Sequence, residues 1–282
     1  MTKKNVIEQL ISSALAEDIG QGDITTAATI DTDKEGLAQI IAKQKGVISG
    51  IEYAKMVFSF VDPDLLFSGD YTNGKDVLAN DTVLTIEGKV VSILQAERTA
   101  LNLLAHLSGI ATLTAQYADL IRGSGAKVTD TRKTTPLWRE LEKEAVRDGG
   151  GLNHRMGLYD MVLIKENHIL AAGGISEAVQ KCRKYLSDHH INSRIEVETT
   201  NLDEVREALS CNVDQIMLDN MDSNELKEAV KLISGRAVVE ASGGVSLENI
   251  KLIAESGADL ISVGALTHSA PAFDFSLLIK GK

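Results

Sequence analysis

The stretch QIMLDNMDSNELKEAVKLISGRAVVE, from Gln215 to Glu240, contains one complete strand–helix–strand signature. An apolar run, Gln215 to Asp219, gives way to a helical period from Asn224 to Ile233, opened by the cap signal Asp222-Ser223, and a second apolar run follows at Ala237 to Glu240. The same unit recurs on both sides. Further apolar runs lie at Ala126 to Asp130, Met161 to Lys165, Ile195 to Glu198 and Leu260 to Val263, and a further helical segment at Leu202 to Leu209. Strand and helix in alternation predict a parallel sheet of right-handed βαβ units. Five of the runs close on a charged residue: Asp130, Lys165, Glu198, Asp219 and Glu240. Charged groups at the carboxyl ends of parallel strands are where barrel enzymes place their chemistry. A full eight-unit barrel takes ~250 residues, and this stretch supplies only six runs, so an open, incomplete α/β barrel is expected.

The first 110 residues have another pattern. An amphipathic helix, Asn5 to Ile19, precedes Gly20-Gln-Gly-Asp-Ile-Thr-Thr26, then strand-like runs at Leu37 to Ala42, Val83 to Ile86 and Val90 to Leu94 joined by Gly and Asn turns. This predicts an α+β sandwich domain over 1–110. Gln95 to Ile121 is expected to be a helical bridge, broken near Ser108-Gly109, leading to a barrel domain over 111–269.

With 44% hydrophobic residues, 3 Pro and no low-complexity tract, the 282-residue chain can bury a large core. Cys182 and Cys211 have neither zinc-site nor disulfide-framework spacing, which suits a reducing cytoplasm. The basic start Met-Thr-Lys-Lys is interrupted by Glu8 and Glu17 with no leader cleavage site, and no window reaches the ~18 apolar residues of a membrane span. A soluble, unexported, cytoplasmic protein is expected. Net charge of -11 argues against a nucleic-acid partner. Between Glu97 and His168, however, ten Lys/Arg face nine Asp/Glu. A locally basic stretch in an acidic protein points to a concave site for a small anion, with a solvated helix face accounting for Arg139, Lys143 and Arg147 as the competing explanation.

The densest chemistry lies in Asp130-Thr-Arg-Lys-Thr-Thr-Pro136, Asn153-His-Arg155 and Val162-Leu-Ile-Lys-Glu-Asn-His168. Arg132 and Lys133 follow the first barrel run, where a guanidinium fork suits carboxylate and an ammonium suits phosphate; pairing with structural acids is the bland alternative. Lys165 ends an apolar run, so its ammonium serves either as an anion contact or as a Schiff-base nucleophile. His168 reads as a turn residue, and His189-His190 as solvated. Glu198 and Asp219 end consecutive runs and suit sugar hydroxyls or Mg²⁺ shared with phosphate oxygens, unless they only pair with Lys133 or Lys165. The last two runs lead into Ala241-Ser-Gly-Gly244 and Ser262-Val-Gly-Ala265, where glycines, backbone N–H groups and a following helix start suit a phosphate.

One phosphate cradle, two acids and several cations describe a sugar phosphate meeting a polycarboxylate or pyrophosphate. Glu97-Arg-Thr-Ala-Leu-Asn102, Ser108-Gly-Ile-Ala111, Asp130 to Pro136, Asn153-His-Arg155, Lys165-Glu-Asn-His168, Glu196-Val-Glu198, Leu218-Asp-Asn220, Glu240 to Gly244 and Pro271-Ala-Phe-Asp-Phe-Ser276 all resemble the quinolinate phosphoribosyltransferases, in order and across nearly the whole chain. The resemblance implies an N-terminal sandwich joined by the C-terminal tail, 270–282, and an open barrel. It implies quinolinate and phosphoribosyl pyrophosphate as substrates, Mg²⁺ as cofactor, and a homodimer or higher oligomer in which Arg98 reaches the neighbouring subunit's site. It also assigns roles. Arg98, Arg132, His154 and Arg155 hold the quinolinate carboxylates. Lys133, with Thr134 beside it, and Lys165 face pyrophosphate; Glu198 and Asp219 take ribose hydroxyls and Mg²⁺. The loops Ser242-Gly243-Gly244 and Val263-Gly264-Ala265 take the 5′-phosphate. Lys133, Lys165, Glu198 and Asp219 are the catalytic group on this basis.

Three rivals remain at this level: a pyrophosphorylase-like relative associated with molybdenum transport, a Schiff-base aldolase using Lys165, and a non-enzymatic sugar-phosphate-binding module. An aldolase has little need for Arg98, Arg132 and Arg155 together. A binding module has no need for paired acids beside a pyrophosphate-sized basic site.

Overall fold

The computed structural model describes residues 3–280; Met1 and Thr2, at the basic start, and Gly281 and Lys282, at the end of the expected tail segment 270–282, lie outside the described residues. In chain order the elements begin α1 (Lys3–Ile19), α2 (Ile24–Thr29), β1 (Glu35–Ala42), β2 (Gly46–Val47), α3 (Ile51–Val61), β3 (Leu66–Ser68), β4 (Asp76–Val77), β5 (Thr82–Lys89) and α4 (Val90–Leu120). Next come β6 (Lys127–Thr129), α5 (Arg139–Asp148), β7 (Val162–Ile164), α6 (Glu166–Ala172), α7 (Ile175–Asp188), β8 (Ile195–Thr199) and α8 (Leu202–Ser210). The chain closes with β9 (Gln215–Asp219), α9 (Ser223–Ile233), β10 (Val238–Ser242), α10 (Ile250–Ala254), β11 (Leu260–Ser262), α11 (Ala265–His268) and β12 (Phe275–Lys280).

Two compact units result: 1–115 with 134–150 and 267–282, and 116–133 with 151–266. The first carries an antiparallel sheet in the order β12-β1-β5-β3. Along β1, burial alternates so that Ala38, Ile40 and Ala42 face the core, the period of two that a half-covered sheet requires. The C-terminal tail supplies β12, paired with β1 from Leu37↔Lys280 to Ala42↔Phe275.

Two sequence-based expectations are corrected here. Val90 to Leu94, a β-branched run resembling a strand, opens helix α4, because the periodicity of the longer segment overrides local β-propensity. Nor does α4 break at Ser108-Gly109. A Cβ on Gly109 would stand 2.2 Å from the Pro271 carbonyl oxygen, so this glycine admits a close backbone approach rather than ending the helix. Ser108 faces the first unit's interior, its hydroxyl accepting from Ser49 N–H at 3.0 Å. By compactness, Thr134 to Gly150 groups with the first unit. Helix α5 is tied there by Tyr53 O–H to Glu144 (2.7 Å), Ser49 O–H to Asp148 (2.6 Å) and His106 with buried Glu142 (2.8 Å).

The second unit is a six-stranded parallel sheet in the order β6-β11-β10-β9-β8-β7. Among the described residues its edge strands β6 and β7 do not pair, so the barrel is open. Val197, Ile216, Leu218, Val239 and Ala241 pack with Val205, Ala208, Leu226 and Ala229 from α8 and α9 in one apolar core. Burying each such aliphatic side chain stabilises the fold by about 1.5–3 kcal/mol. Asp222 starts α9 as expected, accepting from Asn224 and Glu225 N–H groups while the Glu225 side chain accepts the Asp222 N–H, a reciprocal cap that fixes where strand β9 hands over to helix. The residues that alternate with this core, Glu196, Glu198, Gln215, Asp219, Glu240 and Ser242, project from the opposite face of the same strands.

Candidate active site

Alternation sorts those polar residues into two levels. Nearer the strand starts, Glu196, Gln215 and Glu240 are buried; at the carboxyl ends, Glu198, Asp219 and Ser242 are half-exposed. The upper level brings the expected acids onto one rim, with Asp219 in register with Ser242 across β9 and β10. Lys165, directly after β7, forms an ion pair with Glu198 on the next strand. Asp219 accepts from the Asn220 side chain at 2.7 Å, and Asn220, itself at φ 55, donates its backbone N–H to Ser242 O.

That turn explains Gly243. Its φ is +95 and a Cβ there would lie 2.1 Å from Asn220 Oδ1, so both conformation and space exclude a side chain. Beyond it, Asn249 accepts from Ser246 N–H (2.8 Å) and donates to Gly244 O (2.9 Å), closing the loop before α10. The helix start expected directly after Gly244 is therefore displaced to Ile250; after Gly264 a four-residue helix does begin at once, with Ala265. Val263 is buried and donates its N–H to Thr129 O, joining the ends of β11 and β6.

On the other side of the rim, Arg132 and Lys133 are exposed, and the Lys133 N–H is held by Thr131 Oγ1 at 3.0 Å. Arg155 is half-buried and donates to Met161 O; burial, followed by the Arg132 charge, holds its guanidinium below the usual arginine range. The fold keeps the Arg132 charge close enough to be felt by Arg155, the electrostatic condition of an anion site. Arg98, exposed on α4, and Thr134, whose Oγ1 accepts from Arg139 Nε at 2.9 Å, belong to the first unit.

His154 sits below Arg155. Its Nδ1 accepts the Arg155 backbone N–H at 2.8 Å, and its Nε2 lies 3.1 Å from Glu196 Oε2 and 3.3 Å from Glu240 Oε2. Gln215 donates to both carboxylates, to Glu196 Oε1 at 2.8 Å and to Glu240 Oε2 at 2.7 Å. Buried Asp130 receives the His154 backbone N–H (2.9 Å) and the Asn153 side chain (2.6 Å). Burial disfavours a charged His154 ring, while the hydrogen bonds and charges of Glu196 and Glu240 push its pKa up. The second hydrogen of a charged ring would have to occupy Nδ1, where the Arg155 N–H already points from 2.8 Å, so this contact opposes the carboxylates and holds the ring neutral with its hydrogen on Nε2. Burial raises the Glu196 carboxyl, His154 opposes this, and Glu240 reinforces it. Of this lower level, Gln215 drew no notice in the sequence, although it lies four residues, or two strand repeats, before Asp219 and so had to share its face.

The remaining histidines take plain roles. His168 Nδ1 accepts the Lys165 N–H at 3.0 Å, fixing the first turn of α6, and His189 stacks on Tyr185 with ring centroids 4.0 Å apart.

Family models for the N-terminal and C-terminal domains of quinolinate phosphoribosyl transferase match residues 23–108 and 110–278. A chloroplastic nicotinate-nucleotide pyrophosphorylase (carboxylating) of Arabidopsis thaliana is 45% identical, covering 97% of this chain and 82% of its own. A probable nicotinate-nucleotide pyrophosphorylase (carboxylating) of Synechocystis is 44% identical over 97% of this chain and 92% of its own. Among solved structures, the nicotinate-nucleotide pyrophosphorylase of Francisella tularensis superposes with a TM-score of 0.93 at 39% identity, covering 99% of this chain and 98% of that one. Both halves of the chain thus match one family, and the chain belongs to the quinolinate phosphoribosyltransferases.

Proposed function

We propose that this protein transfers the phosphoribosyl group of phosphoribosyl pyrophosphate to quinolinate and releases one carboxylate as CO₂, forming nicotinic acid mononucleotide and pyrophosphate for de novo NAD biosynthesis. The observation that carries this reading is the rim itself: mutually repelling Arg132 and Arg155 on one side, and Glu198, Asp219 and Lys165 on the other. Arg132 and Arg155, with Arg98 from a second subunit of a homodimer, take the two quinolinate carboxylates, and His154 supports this grip from below through the Arg155 backbone. Lys133, which Thr134 follows in the chain, and Lys165 take pyrophosphate. The Ser242–Gly244 and Val263–Ala265 turns take the 5′-phosphate through backbone N–H groups.

Glu198 and Asp219 are half-exposed oxygen donors on adjacent strands, a set that fits Mg²⁺, which takes one or two protein carboxylates and shares the ligand's phosphate oxygens. When bound, the ion supplies neutralising charge to the pyrophosphate. Lys165 then exchanges part of its contact with Glu198 for a phosphate oxygen, following the C–O bond electrons as they leave with pyrophosphate. The ribosyl carbon becomes cationic and the pyridine nitrogen attacks it. As CO₂ departs, the electron pair of its bond stays on the ring carbon, stabilised by the adjacent nitrogen that is now positive, and a proton from solvent then takes up that pair. The protein's main work is to hold together two anionic substrates that repel each other. The unpaired thiols, Cys182 and Cys211, support a reducing compartment such as the cytoplasm.

Purified protein with quinolinate, phosphoribosyl pyrophosphate and Mg²⁺ should release CO₂ and mononucleotide in equal amounts. Nicotinate, lacking the second carboxylate, should turn over at least about a hundredfold more slowly, the scale set by leaving a buried charged partner unpaired. Comparable use of nicotinate would remove both the two-carboxylate grip and the decarboxylation step from this reading.

A further inference from the structure

The buried level beneath the rim holds polarity that the reaction does not itself need. The nearest ligand atoms of His154, Glu196 and Glu240 all lie within 4.8 Å of one another, a spacing that by itself would suit a metal ion. The Arg155 backbone decides otherwise. Its N–H points at Nδ1 from 2.8 Å, so Nδ1 presents a lone pair and the ring hydrogen sits on Nε2, the atom facing both carboxylates. A metal ligand at Nε2 needs the opposite arrangement.

The two carboxylates are not equivalent. Glu196 accepts on both oxygens, from Gln215 on Oε1 and His154 on Oε2. Glu240 accepts on Oε2 only, while its Oε1 is buried with no hydrogen-bond partner. The geometry points to Glu196 as a positioning residue: as an obligate double acceptor it holds His154 in the Nε2–H form, and His154 in turn anchors the Arg155 backbone and aims the guanidinium at the quinolinate carboxylate. This rests on the activity proposed above. Asp130 pins the same segment from the other side through the His154 N–H and the Asn153 side chain. Gln215 keeps the two glutamates apart in register, and Glu240 contributes as a spectator acceptor.

Amide substitution separates these roles. In Glu196→Gln, one of two acceptor oxygens becomes an NH₂ group that must face either Gln215 Nε2 or His154 Nε2–H, donor against donor. In Glu240→Gln the NH₂ group occupies the unpartnered Oε1 position and nothing opposes it. Glu196→Gln should therefore raise KM for quinolinate by about tenfold or more with KM for phosphoribosyl pyrophosphate nearly unchanged, and Glu240→Gln should stay within about threefold of wild type. The ring itself gives a readout that needs no turnover. Long-range ¹H–¹⁵N spectra of the wild type, with His154 assigned by a His154→Gln variant, should show one protonated nitrogen, Nε2, and one lone-pair nitrogen, Nδ1. If the wild type does not use quinolinate, the functional reading fails while the tautomer can still be measured. A hydrogen on Nδ1, equal KM effects of the two amide variants, or a larger effect of Glu240→Gln would each overturn the positioning role. Should Glu196→Gln not fold, the wild-type tautomer alone decides.

Discussion

Lys165 shows how one residue's neighbours select among chemistries. It ends an apolar strand, which allows a Schiff-base nucleophile, yet its ammonium is paired with Glu198 on the adjacent strand and not enclosed in apolar surroundings. Borohydride treatment in the presence of carbonyl substrates should leave the mass of the peptide carrying Lys165 unchanged; a reduced adduct there would restore the aldolase alternative. Asp148 illustrates a cost rather than a role. Burial pushes its carboxyl above the ordinary aspartate range, the Ser49 hydroxyl pulls it down, and Glu144 pushes it up again. With the folded pKa above the model-peptide 3.8, folding disfavours the charged form, and the destabilisation sets in as pH rises past 3.8 and is complete once pH exceeds the folded pKa. Asp148→Asn keeps an oxygen for Ser49 and removes the charge. Its Tm should exceed wild type near pH 7 by on the order of 1–2 °C and show no gain below about pH 3.5, as followed by thermal melts across pH. At this scale the sequence was legible wherever a charged residue ended an apolar run, as at Lys165, Glu198 and Asp219. It was silent at Gln215, because a buried amide two repeats below the rim looks in a linear sequence like one polar residue opening a strand.

Among elements, α4 carries the clearest test of local propensity against packing. Glycine in a helix interior is worse than alanine by roughly 1 kcal/mol, so Gly109→Ala should stabilise an isolated helix. In the folded protein the new Cβ would meet the Pro271 carbonyl oxygen at 2.2 Å, a backbone atom that cannot turn aside. The tail that continues into β12 would have to shift, and overpacking of this kind costs about 1–3 kcal/mol, more than the helix gains. Gly109→Ala should therefore lower the denaturant midpoint, and a rise would show that the tail yields freely. The same residue explains why the helix looked broken in sequence: the small pair Ser108-Gly109 is the usual mark of a helix end, and only the partner, 162 positions downstream, tells that it marks a crossing instead. Val90 to Leu94 misled for a related reason, since a β-branched run fits either period until its continuation is weighed. The barrel runs needed no such context, because each strand is short and apolar and a helix follows it in the chain, and all six fall within a residue or two of the observed β6 to β11.

At the scale of the whole molecule, the sequence leaves Arg98 without a local explanation. It is exposed on α4 and belongs to the first unit, whereas the rim acids and cations belong to the second. The proposal that it completes the site of a neighbouring subunit converts this into a measurable property of the assembly. Loss of a charge-assisted contact to a buried carboxylate costs roughly 2–5 kcal/mol, so Arg98→Ala should be nearly inactive with its fold intact. Lys165→Ala should be inactive because pyrophosphate loses its contact, a defect in a different part of the same site. When the two variants are mixed under conditions of subunit exchange, half the dimers formed at random contain one of each. In such a dimer the barrel with intact Lys165 receives Arg98 from the other subunit, and that one site is whole while the second carries both defects. Activity should return to about a quarter of wild type at equal mixing. With exchange verified by mass spectrometry, failure of the mixture to recover any activity would show that Arg98 serves its own subunit or none, and that the site is not shared.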